Sequence, residues 1–151
     1  MNFKFLNMKI FIGSDHGGFE LKEILREYLA SQNHEVSDEG CFSTDSVDYP
    51  DIAKKVSKKV LENKNSKGIL MCGTGIGISI SANKIKGIRA ALCGNEYMAK
   101  MAREHNDANI LCLGGRVIGS ELGKSIIDTF LKNKFNDEER HKRRVEKMEE
   151  K

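Results

Sequence analysis

Short apolar runs that stop at glycine or a polar residue alternate along this chain with longer segments whose apolar residues recur every three or four positions. The runs are Met8–Gly13, His34–Asp38, Gly68–Cys72, Ile88–Cys93 and Asn109–Leu113. The intervening periodic segments predict helices over 18–33, 50–63, 78–84, 96–105 and 118–131, with a charged helix over 137–150 closing the chain. In the fourth of these, Tyr97, Met98, Met101 and Ala102 are expected to face inward. Strands alternating with helices at this spacing predict right-handed β-α-β units. The expected fold is therefore α/β: a three-layer αβα, Rossmann-like, doubly wound sheet of five parallel strands with an extra C-terminal helix. The second run is the most polar, as suits a place nearer an edge. A single proline, Pro50, and no serine–glycine linker predict one domain over 1–151, with 1–7 as an extension ahead of Met8, itself a candidate start.

Ligands of such sheets bind outside the carboxyl ends of the strands. Three strands end there in groups able to do chemistry: Asp15-His16, Cys72 with the loop Gly73-Thr74-Gly75-Ile76-Gly77, and Gly115-Arg116. A strand, a glycine-rich loop and a helix start together aim several N–H groups at one spot, which suits a phosphate or a developing oxyanion. The loop is not a dinucleotide fingerprint. Counted from Gly73 or from Gly75, the third glycine of G-x-G-x-x-G falls on Ile78 or Ile80. By itself the loop is equally compatible with a tight turn, Cys72 with a small buried hydrophobe, and Asp15 with a helix cap.

A net charge of +3 over 151 residues is mild, and the basic run Arg140-His141-Lys142-Arg143-Arg144 is flanked by glutamates. It reads as a solvated helix face before it reads as a nucleic-acid site. No run approaches the roughly 18 apolar residues of a membrane span. The leading MNFKFLNM is too short for a signal peptide, so a cytoplasmic protein is expected, with Cys41, Cys72, Cys93 and Cys112 reduced. No C-x-x-C pair occurs, and no metal or cofactor is expected.

With the three strand ends assembled, the sequence resembles the ribose-5-phosphate isomerase B family, which includes the galactose-6-phosphate isomerase subunits. The resemblance rests on Gly13-Ser14-Asp15-His16-Gly17-Gly18, Asp48-Tyr49-Pro50, Gly68 through Gly77, Ala82-Asn83-Lys84, Gly87-Ile88-Arg89-Ala90, His105 through Asn109, Gly115 through Gly119, and Arg140 through Val145. These stretches follow the family's order across nearly the whole chain.

The resemblance implies cofactor-free interconversion of ribose 5-phosphate and ribulose 5-phosphate through a cis-enediolate. Isomerisation needs a base for the proton beside the carbonyl, donors for the enediolate oxygens, and a group that opens the sugar ring. The matched roles make Cys72 the base, with no carboxylate in its loop to compete. Thr74 and the N–H groups of Gly73, Gly75 and Gly77 stabilise the enediolate. Asp15 binds sugar hydroxyls or assists ring opening, Tyr49 lines the pocket, and His105 opens the ring with Asn106 beside it. His16, Arg116, Arg140 and Arg144 take the phosphate.

The helix before the fifth strand runs back along the sheet, so His105 is expected at the amino edge, opposite Cys72. That separation predicts a homodimer with shared sites, His105 and Asn106 coming from the partner, and with dimers able to pair into tetramers. The C-terminal helix is expected to have little to grip in its own subunit and to carry Arg140 and Arg144 over a neighbour. Neither a membrane nor a nucleic acid is expected as partner. Rival readings are an isomerase of allose 6-phosphate or galactose 6-phosphate and, from another class, a non-catalytic phosphate or nucleotide module.

Overall fold

The computed structural model describes residues 7–150; the rest of the expected N-terminal extension lies outside the described residues. Five strands and six helices follow one another as β1 (Lys9–Ser14), α1 (Phe19–Ser31), β2 (Glu35–Asp38), α2 (Tyr49–Glu62), β3 (Lys67–Cys72), α3 (Ile76–Asn83), β4 (Ala90–Leu92), α4 (Glu96–Glu104), β5 (Ile110–Gly114), α5 (Ser120–Lys132) and α6 (Glu139–Glu149). All strand pairs are parallel, in the order β2-β1-β3-β5-β4. The polar β2 is indeed an edge strand. The fourth run shortens to three residues, Ala90–Leu92, because it lies at the other edge and pairs only with β5.

Side chains alternate across the sheet, as the period of a strand requires. Ile10, Ile12, Ile69, Met71, Leu111 and Leu113 join α1 and α5 on one face, through Leu21, Leu25, Leu29, Ile126, Ile127 and Phe130. Phe11, Leu70, Cys72, Ile110 and Cys112 point the other way, to Ile52, Ala53, Val56 and Val60 of α2 and Ile78 and Ala82 of α3. Each large aliphatic side chain so enclosed stabilises the fold by about 1.5–3 kcal/mol. The central strands need no polar face because both faces are covered.

The expected inward face of α4 requires correction. Tyr97 is 72% exposed and Met98 43%, while Ala99, Ala102 and Arg103 are buried. Ala99 and Ala102 share the core cluster with Ile126, Ile127 and Phe130 of α5, and small residues at that contact leave Tyr97 and Met98 outside it. Arg103 is tolerated inside because its Nη1 donates to the Ala108 carbonyl at 2.6 Å and pairs with Asp107 at 3.0 Å. Buried charge of this kind is stable only when paired. Ile24 and Leu61, though in register with the apolar faces of α1 and α2, also remain exposed.

Candidate active site

The sheet order sets β1, β3 and β5 side by side, so Ser14 lies level with Met71 and Cys72 with Gly114. Their three following loops meet at the carboxyl edge and are stitched by backbone. Asp15 N–H donates to the Met71 carbonyl (3.1 Å), Gly115 N–H to that of Cys72 (2.8 Å) and Arg116 N–H to that of Gly73 (2.9 Å). The approach is possible only for glycine. A Cβ on Gly115 would lie 2.6 Å from the Gly17 carbonyl oxygen, and one on Gly17 would lie 3.0 Å from the Gly73 nitrogen.

Within this edge, Cys72 is 4% exposed, and its sulfur accepts the Gly75 N–H at 3.1 Å. Gly75 takes φ +79°, the left-handed turn that swings its N–H back onto the sulfur and opens α3. Thr74 is exposed, and its hydroxyl oxygen accepts the Ile76 N–H at 3.1 Å, which leaves the hydroxyl proton free to donate outward. Asp15 is buried and holds the turn that leads into α1, its Oδ1 accepting from Gly17 (2.9 Å) and Gly18 (3.2 Å). His16 accepts the Val47 N–H on Nδ1 at 3.3 Å, which presents Nε2 as its free nitrogen. Tyr49, at the start of α2, lays its ring on Gly77. The Arg116 guanidinium lies over Gly73, 3.1 Å from where a Cβ would stand. Cys72, Thr74, Asp15, His16, Tyr49, Arg116 and the loop glycines therefore share one edge.

Burial acts on the thiols of two other cysteines, Cys93 and Cys112. It pushes the Cys93 thiol up to about 11 and raises that of Cys112 as well, so both stay neutral at pH 7.

His105, Asn106, Arg140 and Arg144 gather at the opposite edge. His105 ends α4, and Asn106 follows in the turn that leads into β5. A six-residue parallel strand such as β3 separates that edge from Cys72 by about 16 Å. Here α6 departs from expectation, because it grips its own subunit. The ring of its His141 stacks on His105 with centroids 4.4 Å apart. Its Glu149 accepts Arg89 Nη1 at 2.7 Å, while Arg89 Nε donates to the Asn106 and Asp107 carbonyls. Burial first, and then the neighbouring His105 and Arg140, hold the His141 imidazole below its ordinary value. Arg140 pairs with Glu138, and both Arg140 and Arg144 are exposed. Beside this edge, Lys84, Lys86, Arg89, Ala91, Asn106 and Met148 line part of an open cleft of about 670 Å³.

A family model described as Ribose/Galactose Isomerase matches residues 10–148. The chain belongs to this family. It is 46% identical over 138 residues to ribose-5-phosphate isomerase B of Escherichia coli, covering 91% of this chain and 92% of that protein. It is 48% identical over 143 residues to Ribose-5-P isomerase B of Listeria innocua, covering 95% and 96%. The crystal structure of a ribose 5-phosphate isomerase from Thermotoga maritima superposes with a TM-score of 0.92 at 54% identity, covering 94% and 97%.

This member of the ribose/galactose isomerase family also contains contacts that sequence reasoning missed. Arg89 and His141 carry no signal of a role in the sequence, and only packing reveals that they brace Asn106 and His105. The Val47 N–H on His16 had no signal at all, since it depends on where a polar loop folds back. Among the described residues, no group of three or more His, Cys, Asp or Glu side chains could hold a metal ion, and no helix is long and apolar enough to cross a membrane.

Proposed function

We propose that this chain is a cytoplasmic aldose–ketose isomerase that interconverts ribose 5-phosphate and ribulose 5-phosphate. The observation that carries the reading is the Cys72 sulfur, seated at the end of β3 where it accepts the Gly75 N–H of the glycine loop and where the loops after β1, β3 and β5 meet. It is supported by the family and by relatives that bear this activity in their names.

In this mechanism the Cys72 thiolate takes the proton from C2 of the open-chain aldose and, as the thiol, delivers a proton to C1, while the hydroxyl proton of O2 passes to O1, so that the C1 carbonyl becomes a hydroxyl and C2 becomes the carbonyl. The Thr74 hydroxyl and the loop N–H groups bind the enediolate oxygens as charge develops on them. Asp15, beside the loop, orients sugar hydroxyls. Arg116 and His16 contribute to the phosphate grip, and a guanidinium fork holds phosphate oxygens bidentately.

His105, Asn106, Arg140 and Arg144 lie too far away to serve the same substrate from within one subunit. We place them in the site of a partner copy, so that a homodimer holds two sites, each built from the carboxyl edge of one subunit and the amino edge and α6 of the other. The catalytic unit in this reading is the dimer.

The test is incubation of purified protein with ribose 5-phosphate, following ketose formation by wild type and Cys72→Ser. Turnover that drops on the order of 10²–10⁴-fold in the variant supports the base. Equal turnover removes Cys72 from that role. An inactive wild type that converts allose 6-phosphate or galactose 6-phosphate instead moves the substrate to six carbons, and binding without turnover of any of these marks a non-catalytic phosphate module.

A further inference from the structure

Lys22 has no part in the chemistry above, yet its side chain is wholly buried on the first turns of α1. Its ammonium donates to Asp38 Oδ2 at 2.6 Å and to Glu23 Oε1 at 3.0 Å. It also sits over two aromatic rings, 5.4 Å from the centroid of Phe19 and 5.5 Å from that of Phe42. Arg26 closes the outer side, 2.7 Å from Glu23 and 3.7 Å from Asp38. A buried charge is costly unless paired, and here it has two carboxylates and two ring faces.

What the cluster holds is the segment between β2 and α2. The second oxygen of Asp38 accepts the Gly40 N–H at 2.9 Å. The Gly40 carbonyl then accepts the Ser14 N–H, and Cys41 N–H donates to the Ser14 carbonyl, both at 2.6 Å. Further on, Val47 N–H donates to His16 Nδ1, and the segment ends at Tyr49. Phe42 is 73% exposed, so hydrophobic burial accounts for little of its placement. The ammonium beneath its ring does.

We propose that Lys22 is a positioning residue for the active site: with Asp38 and Phe42 it clamps segment 39–48 onto the end of β1, and through that segment sets Ser14, the tautomer of His16 and the ring of Tyr49. The catalytic consequence rests on the isomerase reading above; the clamp itself does not.

Two readouts separate the two. The first is amide hydrogen exchange at Cys41 and Val47 in the full-length protein. In Phe42→Leu, which removes the ring from an exposed position, exchange at both amides rises about tenfold while β3 and β5 amides keep wild-type protection. Phe42→Tyr restores a ring face and slow exchange, and Lys22→Met accelerates exchange further than Phe42→Leu. The second readout is kinetic: KM for ribose 5-phosphate rises about tenfold in Phe42→Leu with a smaller change in kcat, since misplaced binding groups weaken substrate capture.

The clamp is overturned if Val47 exchanges at the wild-type rate in Phe42→Leu, or if Phe42→Tyr exchanges as fast as Phe42→Leu. Loosened exchange with an unchanged KM overturns the positioning role. A wild type inactive on ribose 5-phosphate overturns the isomerase reading alone and leaves the exchange result to decide the clamp.

Discussion

The ring of Tyr49 occupies the space that a side chain on Gly77 would need. A Cβ built on Gly77 would lie 2.6 Å from Tyr49 Cζ and 2.9 Å from the phenolic oxygen. Gly77 therefore lets the start of α2 close over the loop that carries Cys72. Gly77→Ala is expected to push the Tyr49 ring outward and lower kcat/KM for ribose 5-phosphate by about tenfold or more. Stability should hardly change, because Tyr49 is already 38% exposed and can swing into water. Kinetics beside a thermal melt check this, and full activity would show that the ring position is immaterial.

A shared site makes a prediction that no single-subunit site can meet. Cys72→Ser and His105→Gln each remove one half of every site, so each homodimer is expected to be nearly inactive. Refolding the two variants together gives half mixed dimers, each with one intact site of two, hence about a quarter of the wild-type sites in a two-fold dimer. Assay of the mixture against each parent reads this directly. No recovery would mean that His105 serves its own chain or does not act on the substrate.

Part of the acid sensitivity should trace to His34 at the start of β2, beside the share that His141 contributes with the same sign. Its Nδ1 accepts the Met8 N–H at 3.1 Å, which requires the neutral ring, and burial lowers it from the ordinary 6.5, with the Asp128 charge opposing. Above about pH 6.5 both folded and unfolded chains hold this ring neutral. Below that value the unfolded chain binds the proton first, so stability falls until the pH reaches the lower native value. His34→Gln is expected to flatten the decline in melting temperature between about pH 7 and about pH 5. Parallel declines for wild type and variant would remove His34 as the cause.

Arg89 latches the amino edge. It reaches Glu149 of α6 at 2.7 Å, Asp107 at 3.3 Å and the carbonyls of Asn106 and Asp107. Arg89→Met should loosen the Glu149 end of α6 and cost about 1–2 kcal/mol, since partly exposed pairs are each worth up to about 1 kcal/mol. At this size that lowers the melting temperature by roughly 2–4 °C per kcal/mol. The accompanying sign is a raised KM, because Asn106, Arg140 and Arg144 lose their common support. Melting and kinetics that both match wild type would show that α6 is held by other contacts.

The strand ends were legible because their cause is local. An apolar run buried on both faces and stopped by glycine reads as a parallel strand from its own residues, and the carboxyl ends of such strands collect ligands in any open α/β sheet. That placed Asp15, Cys72 and Arg116 in one neighbourhood. The direction of a helix between parallel strands is equally forced, which set His105 at the far edge from Cys72.

The packing partners of each surface were not legible, since periodicity says that a face is covered and never by what. Tyr97 and Met98 have the spacing of an inward stripe, but α5 met α4 through its alanines. The helix α6 looked unsupported until His141 found His105 and Glu149 found Arg89. Lys22 in a helix reads as a solvated cation, and only the return of segment 39–48 encloses it. The sequence by itself determined the element types, the parallel α/β class and the residues at each strand end, because these follow from local period and chain direction. The tertiary structure alone decided the strand order, the glycine contacts that bring three loops together and the braces behind His16, His105 and Asn106. Those depend on which distant surfaces meet, and a one-dimensional pattern does not record that.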